Sequence, residues 1–452
     1  MRAVRLRTVD LKNPLGIDDA APMLSWNCEG GKKQRAYQLR VTDAVSGELF
    51  FDSGRVESDT MRCAYGGKEL KSRTRAAWSV TIWDETGEAE TSETAFFEMG
   101  LLRKEDWSAK WISGIDTDRP ERLPADYYRK SVAVGMDLRC ARLYVTALGT
   151  YTARVNGTVV SSVLAPGTTQ YDKHLYYQTY DVTELLRPGT ENELLFCVGD
   201  GWYKGKLGAD QCEYVFGTRT ELLAQLELIY ASGEREIIGT DRSFSWSNEG
   251  PVRFSDLKDG EIYDAAKKPR FLQQAVEDAQ EKRIPTASNA PAIRERETFA
   301  AKLEESSGGQ QILDFGQNIA GYVRFKVHEP KGTKLTLSLF EAKDHGEYSN
   351  ISLSFTDGRV EPVKQQIVFY ASGEEETFQP EFFYSGFQYA LAEVMTAYGS
   401  VSSSWERKED GSVSYRFAVP GNVTAFLTLP DGRKETLTAG NYVFETKADK
   451  ET

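Results

Sequence analysis

VRFKVHEPKGTKLTLSLF, residues 323–340, sets Val323, Phe325 and Val327 at alternate positions, breaks at Pro330-Lys331-Gly332, and resumes with Leu335, Leu337 and Leu339. A period of two places each apolar set on one face of an extended chain, and the Pro-Gly punctuation marks a reversal. The same alternation recurs at Val413, Tyr415, Phe417 and Val419 and at Val423, Ala425, Leu427 and Leu429, with turns written PGN and PDG. Helical signals are few: Asp181 to Leu186 reads as one capped turn, and no long amphipathic stripe occurs. The sequence predicts an all-β chain of tandem β-sandwich and jelly-roll domains.

At roughly 150 residues per domain, 452 residues make room for about three domains, each with its own core. The net charge of −13, with a pI near 5.1, opposes a phosphate backbone, and no basic cluster stands out along the chain, so nucleic acid is not expected as a partner. Nothing approaches the ~20 apolar residues of a membrane span. The arginine-rich start MRAVRLR is not followed by an apolar run, and the reading places the protein in the cytoplasm. Cys28, Cys63, Cys140, Cys197 and Cys212 are scattered and read as reduced thiols; His174, His328 and His345 lie far apart, so no Cys/His metal signature is present. Strand spacing suggests a fibronectin type III-like sandwich over 1–106, a second domain over 107–270, a polar linker around Gln273 to Lys282, a third domain over 284–394 and a last set of strands over 395–452.

Several segments carry a resemblance. NPLGID (13–18), AYQLRV (36–41), FDSGRV (51–56), FEMGLL (97–102) and WSAKWI (107–112) resemble the opening of bacterial α-L-rhamnosidases of glycoside hydrolase family 78. LAPGTTQYDKHLYYQTYDVTELL (164–186), GDGWYKGKLG (199–208) and DGEIYDA (259–265) resemble that family's jelly-roll accessory domain, and DFGQNIAGY (314–322) and PEFFYSGFQYA (380–390) its β-sandwich ahead of the catalytic barrel. The resemblance implies a six-hairpin (α/α) barrel with the catalytic acids after FFYSGFQYALAE, then a C-terminal β-sandwich. Here the chain runs from Val394 directly into TAYGSVSSSWERKEDG and VPGNVTAFLTLPDG, which resemble the later part of that sandwich, so the reading puts a seam near Val394 and Met395 and the barrel missing.

Inverting glycoside hydrolysis, which the resemblance implies, needs an acid and a base carboxylate about 6.5–9.5 Å apart. The family's acid-rich barrel signature finds no match, so no catalytic residue is assigned. Glu341 and Asp344 in FEAKDHG read as a solvated turn. Sugars are held by aromatic faces and planar polar groups, and the second domain gathers Tyr171, Asp172, Tyr176, Tyr177, Asp200, Trp202 and Tyr203 in short loops. Of these, Tyr171, Asp172, Tyr177, Asp200, Trp202 and Tyr203 are the candidate carbohydrate-binding residues. Rhamnose-binding modules of carbohydrate-binding module family 67, which this domain resembles, hold a calcium ion through loop acids and amides; Asp172 is the matching position, with Lys173 beside it where an oxygen ligand is wanted. The alternative for the aromatic residues is core packing, and for Asp172 a turn to its own backbone. In DFGQNIAGY, Gly316 and Gly321 suit turns and Gln317 and Asn318 are expected to satisfy buried backbone groups. The sequence thus predicts a rhamnosidase relative without its barrel that binds L-rhamnose-containing carbohydrate. The alternatives are a hydrolase completed by a separately encoded barrel chain and a deletion remnant without function.

Overall fold

The computed structural model describes residues 1–115, 122–280, 282–306, 309–349, 363–396, 399–400, 402–408, 412–421, 423–429 and 431–446. The described chain is built from strands, with one four-residue α-helix, Gly201–Lys204, and two short 3₁₀ turns, as the alternation predicts. The turn expected at Asp181 to Leu186 is the second of these, Thr183–Leu185, where Asp181 Oδ1 accepts the Thr183 N–H at 3.1 Å. No helix among the described residues is long and apolar enough to cross a membrane. All five cysteines are free thiols.

In the first unit, strand Arg75–Asp84 buries every second residue, Ala76, Trp78, Val80, Ile82 and Asp84. It sits between Ala95–Met99 and Gln34–Asp43 in one sheet and packs against a three-stranded sheet of Arg2–Thr8, Met23–Glu29 and Arg62–Ala64.

The second unit faces a seven-stranded and a six-stranded layer across a core that includes Val145, Tyr151, Phe196, Leu226 and Phe244. Glu221–Tyr230 and Leu138–Leu148 lie at the centre of one layer, Glu191–Gly199 and Asp126–Ala133 at the centre of the other. Here the segment read as a linker behaves otherwise: Gln273–Gln274 pairs with Ser245–Ser247, Val276–Glu277 with Ile112–Ser113, and Thr286–Ala287 runs parallel to Tyr176–Asp181. Two-residue strands of this kind carry no periodic signature, which is why composition alone reads them as a connection.

The sheets do not divide at residue 270 either. Strands Val252–Asp256 and Gly260–Asp264, placed by sequence in the second domain, belong to the third unit's sheet, where Gly260–Asp264 pairs in parallel with Gln366–Tyr370. Gly260 permits the approach: its φ is +112°, and a Cβ there would stand 1.8 Å from the Gln366 carbonyl oxygen. The sheet continues through Lys334–Phe340, Ser385–Thr396, Gln311–Gly321 and Lys302–Glu305. Its strand Ser385–Thr396 pairs with Lys334–Phe340 as far as Met395 and then turns back through Gly399–Ser400. The seam predicted at Val394 and Met395 therefore lies inside one continuous strand, and residues 397–398 of the seam segment lie outside the described residues. A terminal unit follows, with Ser402–Arg407, Val413–Val419 and Gly440–Thr446 in one sheet and the hairpin Ala425–Thr428 with Lys434–Leu437 beside it.

Buried ion pairs lock the first three units together. Arg142 of the second unit grips Glu98 of the first with Nε–Oε1 2.8 Å and Nη2–Oε2 2.9 Å, and Arg73 reaches Glu227 and Asp106, each at 2.6 Å. Between second and third, Arg154 Nη2 meets Glu381 Oε1 at 2.5 Å, and the backbone N–H groups of Glu381 and Phe382 donate to the buried carboxylate of Glu261.

Candidate functional site

The loop Gln170 to Leu175 is a tight turn in which the Lys173 and His174 N–H groups donate to the Gln170 carbonyl at 2.7 and 2.9 Å. It presents Asp172, Lys173 and His174 to solvent and turns Tyr171 and Leu175 inward. Opposite stands the helix Gly201–Lys204, started by Gly201 at φ +53° where a Cβ would lie 2.0 Å from Thr150 Oγ1. Successive helical residues point about 100° apart. Trp202 and Tyr203 consequently diverge, and the structure puts them on different cavities.

Tyr203 lines a cavity of about 500 Å³ together with Tyr171, Phe216, Asp172, Lys282 and Arg283. The Tyr171 ring meets Tyr203 edge-on with centroids 5.1 Å apart and Phe216 at the same distance. The Tyr203 ring lies flat enough on Gly217 that a Cβ there would approach its hydroxyl to 2.3 Å. Burial pushes the Tyr171 hydroxyl far up, so it stays neutral. Asp172 shares the cavity with an exposed carboxylate. Its own carbonyl accepts the Arg283 Nε–H at 2.6 Å, and with the Thr286 N–H on the Leu175 carbonyl at 2.8 Å this ties the loop to the strand-poor segment 282–286. Lys282 is fixed from beneath by Glu221 at 2.8 Å and by Asp278, with Trp111 under its ammonium.

The remaining sequence candidates are placed elsewhere. Tyr177 is buried between the first two units; its hydroxyl accepts the Leu101 N–H at 2.7 Å, and Gly100 makes room, since a Cβ there would stand 1.9 Å from that oxygen. Asp200 is buried too, with its Oδ2 2.9 Å from Arg122 Nε, while Arg122 Nη2 extends to Asp256 at 2.5 Å. Burial drives the Asp200 carboxyl up to about 6 against the pull of Arg122 and Lys204. Tyr177 and Asp200 are thus pieces of scaffold, one clamping two units and the other holding a loop network. Trp202 lines a separate cavity of about 370 Å³ at the border with the third unit, next to Lys206, Lys258 and Tyr384. Tyr176 stacks with His174 at the rim, their ring centroids 6.2 Å apart. Sequence reading missed Phe216, Lys282 and Arg283, for they arrive from segments 44 to 112 residues away from Tyr171 and Asp172 and have no motif of their own.

A cavity of about 550 Å³ lies along DFGQNIAGY and is walled by Phe315, Tyr322, Arg324 and Tyr384. Gln317 and Asn318 are exposed there instead of satisfying buried backbone groups; Asn318 Nδ2 donates to Glu341 Oε1 at 3.0 Å. The register irregularity between Asp314 and Ile319, where this strand leaves its pairing with Ser385–Thr396, accounts for it; there the Gly316 N–H donates to Asp314 Oδ1 at 2.7 Å. In that cavity Glu295 takes hydrogen bonds from both Tyr322 and Arg324, and Arg294, Arg296 and Glu297 line it as well. In the smaller cavity an exposed carboxylate and a guanidinium converge beside aromatic walls, which is the composition a sugar's hydroxyl and C–H faces call for.

A calcium ion, implied at Asp172 by the resemblance, does not fit this donor set. A hard cation asks for six to eight oxygens, roughly, close around it. Here the Asp172 carbonyl is taken by Arg283, Lys173 follows directly, and Lys282 completes a cationic surround. Among the described residues no three His, Cys, Asp or Glu side chains gather into a metal-binding group.

Four family models match in chain order: a Rha78A-like N-terminal immunoglobulin domain over residues 3–103, an α-L-rhamnosidase N-terminal domain over 136–304, a bacterial α-L-rhamnosidase concanavalin-like domain over 304–405 and a bacterial α-L-rhamnosidase C-terminal domain over 375–444. Among curated proteins, an α-L-rhamnosidase of Formosa agariphila is 31% identical over 435 residues, covering 89% of this chain and 46% of that protein. One of Alteromonas sp. strain LOR is 30% identical over 409 residues, covering 83% and 43%. The chain spans less than half the length of these relatives. The crystal structure of an α-L-rhamnosidase from Aspergillus terreus superposes with a TM-score of 0.79 at 28% identity, covering 90% of this chain and 50% of that one.

Proposed function

We propose that this chain, which belongs to the bacterial α-L-rhamnosidase family, binds rhamnose-containing carbohydrate without hydrolysing it, in the cavity between Asp172 and Tyr203. The observation that carries the reading is the convergence of Tyr171, Tyr203 and Phe216 with an exposed carboxylate in one sugar-sized cavity. Its relatives are α-L-rhamnosidases by name, which makes rhamnose the first sugar to try. The non-catalytic part rests on chemistry: Asp172 is the single carboxylate among this cavity's described lining residues, and one carboxylate cannot serve as general acid and general base across a glycosidic bond.

A monosaccharide held by one aromatic wall and a few hydrogen bonds exchanged against water binds at about the millimolar level, ~4 kcal/mol. The test is titration of the full chain with L-rhamnose, read by tryptophan fluorescence, alongside Asp172→Ala and Tyr203→Ala. Saturation lost in both variants is the expected result, and saturation kept in both rejects the site. In parallel, an aryl α-L-rhamnoside should show no turnover; release of phenol that survives repurification and disappears on substitution of a carboxylate in this chain would overturn the non-catalytic reading.

A further inference from the structure

We infer that this binding region takes an acidic saccharide, with a sugar ring on the aromatic wall and a carboxylate or sulfate group on the cations next to it. The inference rests on the carbohydrate reading above and names the ligand class. Its basis is a second cavity of about 480 Å³ that adjoins the first and shares Leu175, Lys282 and Arg283 with it. Lys104, Lys173, His174 and Thr286 complete its polar lining, and none of its lining residues is a carboxylate. The chain as a whole carries −13, whereas the charged side chains lining this pocket are lysines and an arginine, which focuses an attractive field for anions there.

The individual groups support a ligand role. Arg283 is exposed, and among the described residues its guanidinium hydrogen-bonds through Nε alone, to the Asp172 carbonyl at 2.6 Å. Its two terminal amino groups therefore keep the fork that matches a carboxylate or sulfate edge. Lys173 and His174 are exposed on the turn that also carries Asp172. Among the described residues the acids paired with Lys282 are Glu221 and Asp278, both already shared with Arg219, and neither reaches Lys173 or Arg283. A calcium ion would add positive charge where Lys173 and Arg283 already supply it; the anionic group of the ligand takes the place that a metal's ligands would otherwise fill. A nucleic acid strand is disfavoured because it would have to lie along an acidic surface beyond two small cavities.

The experiment is calorimetric titration of the full chain in EDTA with three probes: a rhamnosyl-glucuronate disaccharide, a sulfated L-rhamnose, and neutral rhamnosyl-glucose. The acidic probes should bind about ten-fold tighter than the neutral one, by two partly exposed ion pairs, and the advantage should shrink with added salt. Arg283→Gln and Lys173→Gln should each erode it; Lys173 is exposed and its substitution leaves the fold's hydrogen bonds in place. An advantage for only one acidic probe also supports the site and identifies its anion. Equal affinities, an advantage that survives both substitutions, or competition by a short oligonucleotide overturns the inference. If the neutral probe binds and Tyr203→Ala abolishes it while no charge preference appears, the acidic-ligand inference falls and the carbohydrate reading stands. If the acidic probes alone bind, the cationic subsite stands and supplies most of the affinity.

Discussion

The second unit and the terminal unit start from the same sequence pattern and end with different amounts of burial. Strands Leu138–Leu148 and Glu221–Tyr230 bury nearly every residue, because the opposing layer covers one face and the neighbouring units the other. In the terminal unit, the equally regular Val413–Val419 and Gly440–Thr446 leave Val443 62% exposed, and Phe426 in the adjoining hairpin is 85% exposed. Alternation dictates that a segment will be extended and which residues share a face. Whether that face is dry depends on a second layer, and no local pattern reports its presence.

Breaking the comparison should begin in the second unit. Phe196→Ala, at a site with no exposed surface, should cost ~3–5 kcal/mol in unfolding measurements, whereas the same deletion at Phe426 should stay within about 0.5 kcal/mol. A large effect at Phe426 would mean the terminal unit has a cover. Next in size, Arg142→Met strands the buried Glu98 carboxylate between the first two units and should cost roughly 3 kcal/mol, with Glu98→Met in the same chain recovering most of it. Failure of the double variant to recover would show that Arg142 acts through Asp181 instead.

Glu261 sharpens the comparison through pH. Burial drives its carboxyl from 4.5 up to about 8, against the donated N–H groups of Phe382 and Glu381, with the charge of Glu381 adding to the rise. The native state then holds a proton that the unfolded chain releases, so the stability linked to it is full below about pH 4.5 and is lost as pH rises through about 8. Glu261→Gln should remove most of the fall in stability across that window, and a pH profile identical to the parent's would reject the assignment. The smallest effect belongs to the terminal unit as a whole: limited proteolysis should trim residues 402–446 before the second unit is nicked, since little apolar area protects them.

The all-β class was readable because Val323 to Phe340 and its counterparts repeat one period with turn residues between. The run of four matched segments was readable for the same reason that long motifs in order are specific. What escaped was everything decided by pairing at a distance. Gly260–Asp264 looks like any strand, and nothing in DGEIYDA tells that its partner begins at Gln366. Tyr177 and Asp200 have the composition of a sugar site and were drawn into it, yet the first is spent on Leu101 and the second on Arg122. Asp172, Tyr171 and Tyr203 do meet in one cavity, but the cations that give it its character come from residue 104 and residues 282–283, and a net charge of −13 masks them in any sum along the chain.

The crossing of Val252–Asp264 into the neighbouring sheet, followed by the return of 273–287 to the sheets it had left, has a bearing on inheritance. A gene fragment cut at residue 270 would carry off two strands that belong next door and leave behind three short ones that belong at home. Recombination at that point would deliver two broken halves, so these units can be shuffled among genes only as a pair. The stitched block from Trp107 to Thr396 is in this sense the smallest portable piece of this part of the chain, and the cavity at Asp172 travels with it.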